Sequence, residues 1–305
     1  MPDARRRIFV VGEHGQVALA LGRECAGRGH VGLLAGRATA DVTNRATLTA
    51  AISDFRPDLV VNAAGYTAVD KAEDEPDQAH RVNRDGAANV AAAAASAAAP
   101  LIHISTDYVY DGRKTAPYVE TDAVAPLGVY GASKLAGETA IVTLGGNPVI
   151  LRTSWLCSPD GSNFVKTMLR LAGQRDEIGV VDDQWGAPTF AADLARAIVS
   201  IGEILLSSGH GPSLGGIYHA AGAGETTWCR FAEAIMKTSA TKGGPSCRVR
   251  AIATSEYPVR AKRPANSRLD CSKLARTFGI RLPPWQGSLD ACLDELLATS
   301  QRVLT

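Results

Sequence analysis

The segment Ile8-Phe9-Val10-Val11-Gly12-Glu13-His14-Gly15-Gln16-Val17-Ala18 decides the fold. Its first four residues form an unbroken apolar run, the mark of a short strand covered on both faces. Two glycines follow, and then a helical pattern that reaches Arg28. Such a turn aims backbone amides at the helix N-terminus toward a pyrophosphate, and its glycines permit close approach. The spacing is Gly-x-x-Gly-x-x-Ala, so the three-glycine fingerprint is incomplete. Ala18 is still small enough for the helix to pack on the strand.

Working outward, Val31–Leu34, Leu59–Asn62, Leu101–Ser105 and Val149–Arg152 are further short apolar runs. Helical stretches lie between them at Gln16–Arg28, Arg45–Phe55, Gln78–Ala99 and Ser133–Thr143. The alanines from Ala91 to Ala99, stopped by Pro100, read as plain helix because alanine is the best helix former. Alternation of this kind predicts right-handed crossovers and an α/β fold with a doubly wound, Rossmann-type parallel sheet. Past Arg152 the alternation loosens. Val180–Val181 and Ile217–His219 are expected to extend the same sheet, and the remainder to form a smaller, partly interleaved C-terminal substrate domain. The expected division gives residues 1–155, with about 178–200 and 215–221, to the nucleotide-binding domain. About 156–177 and 222–305 then form the second domain. Gly209–Gly216 and Lys242–Pro245 are expected loops, and there is no internal repeat.

Composition narrows the class. The chain has 305 residues, 46% hydrophobic and 21% charged, enough apolar material for a sizeable core. A net charge of +1 argues against a nucleic-acid or polyanion binder. Arg5-Arg6-Arg7 reads as a solvated flank. Six scattered cysteines without a Cys-x-x-Cys pair suit reduced thiols better than disulfides or zinc. No run approaches a membrane span, and Ile8 to Val11 is too short for a signal-peptide core. A soluble, cytoplasmic protein is expected, without membrane or nucleic-acid partners.

The second strand in such folds usually ends in an acid that holds the adenosine ribose hydroxyls. Here it runs into Ala35-Gly36-Arg37, and Arg37 suits a ribose 2′-phosphate, favouring NADPH while leaving NADH open. Gly12 and Gly15 face the pyrophosphate. Asp41-Val42 flanks the adenine, and Asn62-Ala63-Ala64-Gly65 closes the third strand with small residues that leave room for the cofactor.

The fourth strand ends in Ser105-Thr106-Asp107, and Tyr130-Gly131-Ala132-Ser133-Lys134 follows. Tyrosine and lysine four apart share one helix face. Free tyrosine titrates near 10, too high for proton exchange at neutral pH, and an adjacent ammonium lowers it. Tyr130 is therefore the expected general acid, Lys134 its activating cation and ribose contact, and Thr106 the hydroxyl that orients the substrate oxygen. The pattern predicts an oxidoreductase moving a hydride at a carbonyl carbon.

These residues together resemble the extended short-chain dehydrogenase/reductase family. The runs Val61 to Glu73, His103 to Gly112, Tyr130 to Glu138, Arg152 to Trp155, Asn163 to Val165, Val181 to Thr189 and Arg263 to Ser267 narrow it. They resemble the signatures of dTDP-4-dehydrorhamnose reductases over nearly the whole chain. The resemblance implies reduction of dTDP-4-dehydro-L-rhamnose to dTDP-L-rhamnose by NADPH or NADH. That is the last step in making this nucleotide sugar, a precursor of surface polysaccharide such as lipopolysaccharide. It makes Thr106, Tyr130 and Lys134 the catalytic trio. It adds Gln16, Val17, Ala64, Gly65, Tyr66 and Thr67 to the cofactor contacts, with Asp41 and Val42. It gives Thr106, Asp107 and Trp155 to the nucleotide sugar. A monomer or homodimer is implied. Mg2+ at a dimer contact occurs in the family, but no ligands match here, so no metal is assigned.

Glu13-His14 departs from the family's usual basic-and-small pair and puts a carboxylate near the phosphates. Three rival readings frame the expectation. Sugar-nucleotide dehydratases place Asp-Glu after the threonine; here Asp107-Tyr108 lacks the proton-abstracting glutamate. A reductase of another nucleotide 4-keto-deoxysugar is the nearest alternative. An NADP-binding regulatory subunit, similar to that of methionine adenosyltransferase, is the non-catalytic one.

Overall fold

A computed structural model describes residues 5–207 and 214–302. The first half runs β1 (Arg7–Val11), α1 (Gln16–Gly27), β2 (Val31–Ala35), α2 (Arg37–Ala40), α3 (Arg45–Phe55) and β3 (Leu59–Asn62). It continues through α4 (Val69–Ala72), α5 (Pro76–His80), α6 (Gly86–Ser96), β4 (Leu101–Thr106), α7 (Val129–Leu144) and β5 (Val149–Thr153). Then come β6 (Leu156–Cys157), α8 (Phe164–Ala172), β7 (Glu177–Val181), β8 (Trp185–Gly186), β9 (Thr189–Phe190) and α9 (Ala191–Ser207). The chain closes with β10 (Gly216–His219), β11 (Thr226–Thr227), α10 (Trp228–Thr241), β12 (Arg248–Ile252), α11 (Ser272–Phe278) and α12 (Trp285–Arg302).

The main sheet has six parallel strands in the order β10-β5-β4-β3-β1-β2. Strand residues alternate between its faces. Ile8 and Val10 pack with Leu21 of α1 and Ile198 of α9, whereas Phe9 and Val11 join Leu48, Val90 and Ile141 from α3, α6 and α7. Both faces are covered over β1, β3, β4 and β5, which are buried along nearly their whole length. The chain reverses direction between β1 and β3, and the carboxyl ends there form the crevice where such sheets bind ligands.

A second core lies between α8, α10 and α12, with Val165, Met168, Phe231, Ile235 and Leu293 fully or nearly buried. The expected extension of the main sheet by Ile217–His219 is present as part of β10. Val180–Val181 does not extend it. Those residues belong to β7, which pairs in parallel with β12, because Ile178 and Val180 face the second core. Residues 272–278 return to the first core instead, where Leu274 and Phe278 pack near Tyr218.

Two helix boundaries differ from expectation, and both shape the site. Gln78–Ala99 is not one helix; a π-helical turn at Arg81–Asp85 separates α5 from α6. Helix α7 begins at Val129, four residues early, after Gly128, with the Val129 amide donating to Glu73 Oε1 at 2.8 Å. Arg7 belongs to β1, its guanidinium donating to the Phe55 carbonyl, so it is no free flank. The Lys242–Pro245 loop turns at Gly243 (φ +72°), and of Gly209–Gly216 residues 209–213 fall outside the described residues. All six cysteines are free thiols. Among the described residues no helix is long and apolar enough to cross a membrane.

Candidate active site

Strand β4 is buried along its whole length and delivers Thr106 to the crevice. A short 3-10 turn at Asp107–Val109 follows, with Thr106 Oγ1 accepting from the Tyr108 amide at 3.2 Å. The first turn of α7 lies directly against this turn. A Cβ on Gly131 would sit 2.2 Å from the Tyr108 carbonyl oxygen, so only glycine permits that approach. Tyr108 and Tyr130 then meet edge to face at 5.4 Å. Thr106, Tyr130 and Lys134 therefore line one cavity of about 530 Å³.

The π-helical turn fixes the other wall. Asn83 Oδ1 accepts from the Tyr66 amide at 2.8 Å, and Nδ2 donates to the Tyr66 carbonyl and to Ser133 Oγ. A Cβ on Gly137 would stand 2.1 Å from the Asn83 carbonyl oxygen, so α7 packs closely here too. One asparagine ties the loop after β3 to α7. Such π-turns recur at functional sites. Nothing in the sequence marks Asn83 beyond an overlong helical stretch.

The electrostatics differ from expectation in one respect. The Lys134 ammonium does not hydrogen-bond the phenol; it donates to the Ile104 carbonyl at 2.6 Å and approaches His103 Nε2 at 3.4 Å. Burial pushes Tyr130 up to about 12, against a downward pull from the Thr106 hydrogen bond, and Asp107 adds to the rise. The expected depression by Lys134 is absent because the phenol is enclosed and the ammonium is engaged elsewhere. Burial holds Lys134 itself down at about 8, with Glu138 pulling it upward. His103 is driven well below the usual histidine range by burial and then by Lys134.

Asp107 is buried, and burial raises it to about 6 against hydrogen bonds from Ser267 and Thr106. Its Oδ2 and the Thr153 Oγ1 are buried without a partner, and both residues line the cavity. Buried polar atoms are rarely left unpaired, which marks these two as candidate ligand contacts. Trp155 also lines it, in a left-handed backbone conformation (φ +47°) that costs about 1–3 kcal/mol for such a residue. Its indole stacks on Trp228 at 3.6 Å, and Gly186 leaves room for it: a Cβ there would lie 2.4 Å from the ring. The Arg263-to-Ser267 segment reaches the same place. Trp185 N donates to the Ala265 carbonyl at 2.8 Å, and Arg263 pairs with Asp70 at 2.6 Å.

The cavity runs past His14, Gly15, Ala63, Ala64 and Gly65 into a second one of about 620 Å³. Gly12, Arg37, Asp41 and Val42 line the second, while Gln16, Val17 and Thr67 line the first. Tyr66 lines neither. Its hydroxyl donates to Glu75 Oε2 at 2.8 Å, and its backbone amide and carbonyl are both taken by Asn83. The two cavities cross the carboxyl ends of β1 and β3 and fit a dinucleotide. Gly12 adopts φ +126° close to the Ala63 and Ala64 backbone, and the space over Gly15 is open for a phosphate. Arg81, Tyr108, Thr153, Gly161 and Ser162 also line these cavities but are not singled out for that role by the sequence. Arg81 arrives on the π-helical turn, Tyr108 on the 3-10 turn, and Gly161 and Ser162 on a loop, none of whose courses the sequence pattern gives. Among the described residues no group of three or more His, Cys, Asp or Glu side chains could hold a metal.

Comparison with known proteins agrees with this geometry. The family model of the RmlD substrate binding domain matches residues 6–298. A dTDP-4-dehydrorhamnose reductase of Sinorhizobium fredii is 49% identical over 92% of this chain and 95% of its own. The enzyme of that name from Escherichia coli K12 is 40% identical, covering 96% and 99%. A crystal structure of dTDP-4-dehydrorhamnose reductase from Bacillus anthracis in complex with NADP superposes with a TM-score of 0.87. It is 35% identical and covers 95% of this chain and 99% of that one. With its six-stranded sheet and these relatives over nearly its whole length, the chain belongs to the dTDP-4-dehydrorhamnose reductase family of extended short-chain dehydrogenases/reductases.

Proposed function

We propose that the chain reduces the 4-keto group of dTDP-4-dehydro-L-rhamnose to give dTDP-L-rhamnose, the last step in making that nucleotide sugar. The observation that carries this is the convergence of Thr106, Tyr130 and Lys134 in one cavity continuous with the glycine loop. A nicotinamide dinucleotide, NADPH or NADH, supplies the hydride when bound.

The cofactor is held by Gly12, Gly15, Gln16 and Val17 at the pyrophosphate, and by Arg37, Asp41 and Val42 at the adenosine. Ala64, Gly65 and Thr67 hold its inner half. The relatives' names and the NADP in the Bacillus anthracis structure support this reading.

Tyr130, held protonated at neutral pH by burial, gives its proton to the keto oxygen as negative charge develops there. Thr106 donates to the same oxygen and keeps it in line with the phenol. Lys134 holds the inner ribose and offsets the charge left on Tyr130. Asp107 accepts from a sugar hydroxyl through its unpaired Oδ2, and Trp155 covers the sugar ring. The second domain, about 156–177 and 222–305 in our proposed division, carries Trp228, on which Trp155 stacks.

Chromatography of the nucleotide sugars after incubation with NADPH and the 4-keto substrate tests the assignment. dTDP-L-rhamnose is expected. Formation of a different epimer would reassign the product, and unchanged substrate would contradict the proposal.

A further inference from the structure

Strand β2 ends at Ala35, and Gly36 follows it. In dinucleotide-binding sheets a carboxylate near this point accepts hydrogen bonds from the adenosine ribose hydroxyls. Gly36 has no side chain, yet the space beside it is taken. A Cβ on Gly36 would lie 2.0 Å from Glu13 Oε2 and 3.0 Å from Glu13 Cδ. The glycine loop therefore puts a carboxylate where the side chain of an acid at the strand end would begin.

We propose that Glu13 selects the adenosine ribose: its carboxylate accepts the free 2′-hydroxyl of NADH and repels the 2′-phosphate of NADPH. This rests on the nucleotide-binding reading above. The second cavity also carries Arg37, Arg81 and Asp41. Asp41 is held below the usual carboxylate range, first by the Thr43 amide and further by Arg37 and Arg81. Part of the guanidinium charge is thus already directed at Asp41. Glu13 supplies a second carboxylate, so the two arginines do not present a net cationic cradle. A 2′-phosphate bringing about two negative charges meets two carboxylates on entry. A ribose diol meets two acceptors.

The side chain of Glu13 is 47% exposed, so water screens it and the discrimination is moderate. The test is calorimetric titration of the full chain with 5′-ADP and with 2′,5′-ADP, which differ only in the 2′-phosphate. In Glu13→Gln the affinity ratio of 2′,5′-ADP over 5′-ADP should rise about fivefold, and further in Glu13→Lys. The kcat/KM ratio of NADPH over NADH should move in the same direction. A ratio within twofold of wild type in both variants overturns the role of Glu13 while the nucleotide site stands. Failure of wild type to bind either nucleotide would overturn the nucleotide reading and this proposal with it.

Discussion

The Lys134 ammonium lies 3.4 Å from His103 Nε2, with both side chains buried. The hydrogen bonds around His103 set its tautomer. Asn62 Oδ1 accepts from the Ala64 amide at 3.2 Å, which turns the Asn62 amide nitrogen toward His103 Nδ1 at 3.0 Å. Nδ1 is then the acceptor, and Nε2 carries the hydrogen that faces the lysine. Burial of this pair is what favours an easily discharged lysine, with Glu138 pulling the other way.

A pH dependence follows with a definite sign. Burial places Lys134 at about 8, so its charge is present below that value and lost as pH rises through it. Turnover should fall tenfold per unit once pH is well above 8, as the phenolate left on Tyr130 loses its nearby cation. A steady-state profile of kcat in the alkaline range reads this. A rate that stays flat to pH 10 would contradict it.

Asp107 sets the acid side. Burial raises its carboxyl to about 6, so below that pH it is protonated and stops acting as a pure acceptor. KM for the nucleotide sugar should rise as pH falls through 6, with kcat changing less. Asp107→Asn should remove this dependence. The measurement is KM at several pH values for wild type and variant.

Gly131 sits where α7 meets the 3-10 turn most closely. A Cβ there would meet the Tyr108 carbonyl oxygen at 2.2 Å, so Gly131→Ala must push α7 off the 3-10 turn. A loss of about 1–3 kcal/mol in stability is expected, as for overpacking elsewhere. Activity should fall further than folding does, because Tyr130 moves with the helix. Urea unfolding and turnover of one preparation compare the two.

Behind the site, Glu138 Oε2 pairs with Arg152 at 2.6 Å, both nearly inaccessible, and Glu138 Oε1 accepts from Ser105 Oγ. Glu138→Gln leaves the guanidinium buried and unpaired and should cost about 3–5 kcal/mol. Chemical unfolding tests it. An unchanged midpoint would show that the pair is dispensable.

The proposed catalytic trio is legible in the sequence because its parts are local. Thr106 closes an apolar strand, and Tyr130 and Lys134 are four apart on one helix. The parallel sheet was equally plain from apolar runs covered on both faces. What escaped were features set by tertiary packing. The π-helical turn that aims Asn83 depends on the close fit of Gly137 against its backbone, and alternation of residue types carries no sign of it. Val180–Val181 looked like another strand of the main sheet because a short apolar run does not name its neighbour. The phenol's environment is equally non-local: spacing places Lys134 one turn away, but burial first, then the Thr106 hydrogen bond and Asp107, set where Tyr130 stands. Tyr66 shows the reverse error, a motif residue whose side chain turns outward to Glu75.

Tyr130 is the group proposed to protonate the keto oxygen during reduction. The most direct test of this role is the loss of reduced-nicotinamide absorbance with dTDP-4-dehydro-L-rhamnose, for wild type and Tyr130→Phe, with NADPH binding measured on both. The account predicts oxidation by wild type, a fall of about 10²–10⁴-fold in the variant, and similar NADPH affinity in the two. Comparable turnover in Tyr130→Phe would contradict it.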